Sequence, residues 1–72
     1  MNILVFKTDI GTRKKVRLLS PILDKHPTIS NWSVDTTDVD NVLRVEAAEE
    51  ISERDIIELI EPRGFRCEEL PD

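Results

Sequence analysis

Seventy-two residues, 39% hydrophobic and 35% charged, suit a single globular domain over 1–72 and exclude a disordered chain. A chain this short buries only roughly 60% of its unfolded surface, so its core has to be compact. The net charge of −5 argues against a general nucleic-acid binder, and no apolar run nears the ~20 residues of a membrane span.

Residues 2–10 read as a strand. Leu4, Phe6, Thr8 and Ile10 alternate with Ile3, Val5, Lys7 and Asp9, and the first set is the expected core face. Gly11 breaks the strand. Thr12 fits a helix N-cap, because its hydroxyl can accept from an unpaired backbone N–H. A helix is predicted over 13–25, with Val16, Leu19, Ile22 and Leu23 on one stripe. Pro21 lies inside it, so a kink is expected there, with the Arg17 carbonyl left to water or Ser20. His26 and Pro27 end the helix.

Residues 28–36 form a second predicted strand, with Trp32 and Val34 inward and Asn31, Ser33 and Asp35 outward. A polar hairpin loop follows over 37–41. The third strand, 42–47, places Leu43 and Val45 inward and Arg44 and Glu46 outward. Ser52-Glu53-Arg54-Asp55 has the pattern of a capping box and opens a second helix with Ile56, Leu59 and Ile60 as its buried stripe. Pro62 and Gly64 stop that helix, the glycine as a left-handed cap. Residues 65–70 form the last strand. This order, with right-handed crossovers, gives an α+β, ferredoxin-like βαββαβ sandwich. Its four-stranded antiparallel sheet carries both helices on one face. The other face is expected to be mostly polar, presenting Ile3, Val5, Lys7, Asn31, Ser33, Val42, Arg44, Arg66 and Glu68.

The string Phe6-Lys7-Thr8-Asp9-Ile10-Gly11-Thr12-Arg13-Lys14-Lys15-Val16 resembles the first strand, metal loop and helix start of a heavy-metal-associated domain. Ser20-Pro21-Ile22-Leu23-Asp24 resembles a bacterial branch of that family with proline in its first helix. Pro27-Thr28-Ile29, Trp32-Ser33-Val34-Asp35, Val42-Leu43-Arg44-Val45-Glu46 and the stretch 56–65 extend the likeness over nearly the whole chain. The resemblance implies a copper- or zinc-handling scaffold with Cys-x-x-Cys after the first strand. Counting back from Pro27, those two positions fall on Thr12 and Lys15. Neither supplies the soft sulfur that Cu(I) requires, and Lys15 adds positive charge where a cation would sit. The resemblance also implies that partners are met at this end of the molecule.

The remaining candidates are weaker. Asp9, Gly11, Thr12, Arg13, Lys14 and Lys15 surround a helix N-terminus, where N–H groups and the helix dipole favour an anion or an acidic partner. Cys67 is the one cysteine, so there is no internal disulfide. It reads as a small buried hydrophobe, and His26 as a structural residue. Together they could make at most a two-ligand metal site. Asp35, Asp38 and Asp40 lack the glycine and glutamate of a Ca²⁺ loop and read as a turn. The acids at 49, 50, 53, 55, 58 and 61 read as a solvated helix face. No serine, histidine and acid set and no nucleotide-binding glycine loop is present, so no enzyme is expected. Acylphosphatases share the element order, yet this loop is poor in glycine.

These readings converge on a non-catalytic binding or protein-interaction module with a lost metal site and no cofactor. The alternative is a metal-trafficking, chaperone-like protein with ligands drawn from Cys67, His26 and the acids. The expected partner is a protein at the loop after the first strand. Nucleic acid and membrane are not expected, the location is expected to be cytoplasmic, and the state a monomer or weak homodimer. Such a dimer would pair uncovered sheet faces through Ile3, Val5 and Val42.

Overall fold

The computed structural model describes residues 2–48 and 50–70. Strand β1 (Asn2–Thr8) leads to helix α1 (Arg13–Asp24), strand β2 (Ile29–Asp35), strand β3 (Val42–Ala47), helix α2 (Glu53–Ile60), a 3-10 turn (Glu61–Arg63) and strand β4 (Cys67–Glu69). The sheet order is β2-β3-β1-β4, and every neighbouring pair is antiparallel. This is the ferredoxin-like βαββαβ sandwich expected from the element order.

Alternation along the strands explains which face carries the helices. Leu4 and Phe6 of β1 stand opposite Val45 and Leu43 of β3, and all four are buried. Leu19 and Leu23 of α1, and Ile56 and Ile60 of α2, close over them and are likewise buried. Trp32 and Val34 of β2 pack half-buried against this cluster. On the other side of the sheet, Val5 and Ser33 flank Arg44, Ile3 faces Glu46, and Lys7 faces Glu68. That face is mostly polar, with Ile3 half exposed.

Several boundaries differ from the sequence expectation for local reasons. Strand β1 ends at Thr8, because the Thr8 hydroxyl takes the Ile10 N–H at 3.1 Å and turns the chain out of the sheet. Ile10 is still completely buried. Helix α1 continues through Pro21 for three more residues and ends at Asp24. The Arg17 carbonyl loses its usual donor there, but both residues are exposed, so water can replace it. Ser20 does not serve that carbonyl; its hydroxyl donates to Asp24 Oδ2 at 2.8 Å. Leu59 is half-buried, and Ile56 and Ile60 are the buried pair of α2. Strand β4 is only three residues long, so Phe65 and Arg66 precede it. Glu49, one of the acids named above, lies outside the described residues.

Helix α2 starts as its sequence requires. The Ser52 hydroxyl accepts from Asp55 N–H, and the Asp55 carboxylate accepts from Ser52 N–H at 2.8 Å, a reciprocal capping box. The 3-10 turn then ends at Gly64, whose φ of 95° is left-handed and favours glycine.

Candidate functional site

The loop between β1 and α1 is held from three directions. Below it, the buried Thr8 hydroxyl donates to the Asn41 carbonyl at 2.6 Å, and Thr8 N–H donates to the Asp40 carbonyl at 3.0 Å. From the β4 side, Arg66 N–H donates to Asp9 Oδ1 at 3.0 Å. Within the loop, Gly11 N–H donates to the Asp9 carbonyl at 3.0 Å. Gly11 also lets the Asn41 side chain approach, since a Cβ there would sit 3.2 Å from Asn41 Oδ1. Asn41 itself adopts a left-handed φ of 45°, which asparagine tolerates better than most residues.

Thr12 caps α1 with extended backbone, and its hydroxyl accepts from Lys15 N–H at 3.2 Å. The same Lys15 folds its side chain back, and Nζ donates to the Asp9 carbonyl at 3.1 Å. Thr12 and Lys15 therefore sit at the loop–helix junction and one turn on, joined to each other and to the loop. Gly11, Thr12, Arg13 and Lys14 are exposed, while Asp9 and Lys15 are half-buried. Hydrogen bonds join Thr12 to Lys15, and Lys15 and Gly11 to Asp9, while Arg13 and Lys14 follow Thr12 in the first turn. Among the described residues, no partner takes the first-turn N–H groups of Arg13 and Lys14 or their side chains. Helix α1 has no acid in that turn to offset them.

A cavity of about 480 Å³ opens beside this loop, between Thr8, Asp9, Asn41, Glu61, Arg66 and Cys67. Cys67 pairs with Thr8 in the sheet and is buried. Burial first, and the nearby Glu61 carboxylate second, push its thiol up to about 12 from an ordinary 9.0. It is therefore a protonated thiol at neutral pH, not a ready thiolate ligand.

His26 lines a pocket with Asp55 and Glu58, whereas Cys67 lines the separate cavity with Glu61. His26 Nδ1 lies 2.7 Å from the Thr28 hydroxyl. Among the described residues, no three or more His, Cys, Asp or Glu side chains are grouped to hold a metal ion.

The aspartates of the β2–β3 hairpin are engaged in the turn. Asp35 Oδ1 accepts from the Thr37 hydroxyl at 2.6 Å and Thr37 N–H at 3.0 Å, which holds its carboxyl below the usual range. Asp38 Oδ1 accepts from Asp40 N–H at 2.8 Å, and Asp40 lies 3.6 Å from Lys7 Nζ. The support from Asn41 and Arg66 escaped the sequence reading. Its one available signal was Thr8, a hydroxyl on an otherwise apolar face, which has to find a partner when buried.

Copper-handling domains share this backbone. The yeast copper transporter domain Ccc2a, determined in apo and Cu(I)-loaded states, matches with a TM-score of 0.82 and 20% identity, covering 100% of this chain and 99% of its own. The chain has the heavy-metal-associated fold. A chain of the Atx1–Cu(I)–Ccc2a complex matches at a TM-score of 0.84 and 20% identity, over 100% of this chain and 99% of its own. A structure concerned with crosstalk between Cu(I) and Zn(II) homeostasis matches at 0.81 and 11% identity, over 97% and 100%. No protein-family profile matches the sequence, and no curated protein matches it. Among the described residues no helix is long and apolar enough to cross a membrane.

Proposed function

We propose that this chain is a non-catalytic protein-interaction module on a heavy-metal-associated scaffold whose ion-binding pair has been replaced. Its contact surface is residues 9–15, and no cofactor takes part. The observation that carries the reading is the Lys15 ammonium bonded to the Asp9 carbonyl across that loop. An ammonium held there opposes any cation at the same place by simple repulsion, and the Thr12 hydroxyl is a poor donor for a soft ion. The exposed Arg13 and Lys14 beside unpaired N–H groups suit an acidic contact on a protein partner. Ccc2a occurs in complex with Atx1, and a protein partner is carried over to this chain from that fold relationship. A monomer or weak homodimer in the cytoplasm fits this reading.

The likeness to Cu(I)-loaded domains favours one rival, a metal-trafficking protein with unusual ligands. Equilibrium dialysis against Cu(I) and Zn²⁺ separates the two. The module reading expects no stoichiometric retention of either ion. Tight retention that disappears in Cys67→Ala establishes the rival. Affinity capture from the native cell by the wild type and by an Arg13→Glu/Lys14→Glu variant tests the surface. Capture that weakens in the variant supports residues 9–15, and an unchanged set of captured proteins contradicts them.

A further inference from the structure

A second surface lies between the two helices, and its chemistry stands independently of the loop. A groove of about 490 Å³ runs between α1 and the end of α2. Its walls are Leu18, Pro21 and Ile22 from α1, with Leu59 and Phe65 from the α2 side. Leu18 is 57% exposed, although it is a large aliphatic residue in the middle of a helix. Lys25 and Arg63 stand on the rim, both exposed, and neither is ion-paired among the described residues.

The charge around this groove is positive on a chain of net charge −5. Lys14, Arg17, Leu18, Pro21 and Lys25 follow helical spacing along one side of α1, so basic and apolar groups share a stripe. The nearby acids are directed elsewhere. Asp55 and Glu58 line a separate pocket at His26, and Glu61 lines the cavity beside Cys67. Asp24 is bonded to the Trp32 indole and the Ser20 hydroxyl.

We infer that the α1–α2 groove is a docking site for an acidic peptide segment bearing large apolar side chains. The apolar anchor would fill the space over Leu18, Ile22 and Phe65, and carboxylates would reach Lys25 and Arg63. Charge complementarity selects this occupant. A second copy of the chain paired symmetrically through this groove would set the basic rim of Lys25 and Arg63 against itself. A concave groove also fits a side chain better than a flat bilayer surface does.

The test is a heteronuclear NMR titration of the full chain with a synthetic amphipathic peptide of about 14 residues, four helical turns. The peptide carries Glu on one face and Leu and Phe on the other. Amide shifts are expected at Leu18, Ile22, Lys25, Leu59, Arg63 and Phe65. The Lys25→Glu/Arg63→Glu variant should bind about tenfold or more weakly, and Leu18→Ser should weaken binding without altering rim charge. Both variants change exposed residues, and their unperturbed spectra report whether they fold. Equal binding of a Lys-for-Glu peptide overturns the inference. So does an absence of shifts at millimolar peptide, or shifts confined to residues 9–15. Perturbation by phosphatidylglycerol vesicles without perturbation by the peptide assigns the groove to lipid. Concentration-dependent shifts of the protein alone assign it to a second copy; each of these two results also overturns the peptide proposal.

Discussion

Lys15 Nζ donates to the Asp9 main-chain oxygen at 3.1 Å, so the ammonium lies back across the β1–α1 loop instead of extending into solvent. One residue thereby performs two local tasks. Its N–H completes the Thr12 cap, and its side chain satisfies a carbonyl that Gly11 N–H also uses. The loop is thus closed by the chain's own groups. In the resemblance to heavy-metal-associated domains this is where a bound ion would provide the tie.

Thr8 is the strongest test of how the loop is supported. Its buried hydroxyl donates to the Asn41 carbonyl and accepts from Ile10 N–H. Thr8→Val keeps the shape and leaves both partners unsatisfied, which should cost about 2–3 kcal/mol in urea unfolding. Thr8→Ser retains the hydroxyl and should cost only about 1 kcal/mol, the loss of one buried methyl. Equal losses in the two variants would contradict the hydrogen-bond account.

The two glycines should respond differently to alanine. Gly64 has a left-handed φ of 95° with nothing within 4 Å of an added Cβ, so only backbone strain opposes the change. Gly64→Ala should cost about 1 kcal/mol. At Gly11 a Cβ meets the end of the Asn41 side chain at 3.2 Å, with no left-handed strain. Asn41 can rotate away, so Gly11→Ala should change stability by less than about 0.5 kcal/mol. Thermal unfolding of both variants checks the order.

Asp24 provides the pH dependence. The Trp32 indole N–H, at 2.7 Å, and secondly the Ser20 hydroxyl lower its carboxyl pKa from an ordinary 3.8. A folded pKa below the unfolded one gives a contribution present above about pH 4 and lost as the pH falls through the folded value. Trp32→Phe should move the Asp24 carboxyl up towards 3.8 in an NMR carboxyl titration. The same variant should flatten the acid dependence of unfolding. A titration unaltered by the substitution would remove Trp32 as the cause.

Much of this architecture was legible in residue order. Alternation through Leu4 and Phe6, the stripe from Leu19 to Leu23, and Ser52 with Asp55 each specify a local structure that tertiary packing then uses. The end of β1 was not legible, because Ile10 continues the alternation while a side-chain bond from Thr8 turns the backbone. The continuation of α1 beyond Pro21 was legible in its apolar stripe, and exposure of Arg17 makes the lost hydrogen bond tolerable. The composition of the candidate loop was readable, including Thr12 as its cap. Its buttresses were not, because Asn41 and Arg66 come from distant segments and touch it through backbone groups that no residue pattern announces. The Trp32–Asp24 bond had the same obstacle: it joins a strand to the end of a helix.

The central claim is that the scaffold keeps the geometry of an ion-binding loop while its donors are of the wrong kind. A Thr12→Cys/Lys15→Cys variant would restore two sulfur donors at the junction and one turn on. Anaerobic Cu(I) titration in competition with a chromogenic chelator, run on this variant and on the wild type, tests the claim directly. The account predicts one Cu(I) bound per chain in the double-cysteine variant and none withheld from the chelator by the wild type. Tight one-to-one binding by the wild type, lost when Thr12 and Lys15 are replaced by alanine, would contradict it.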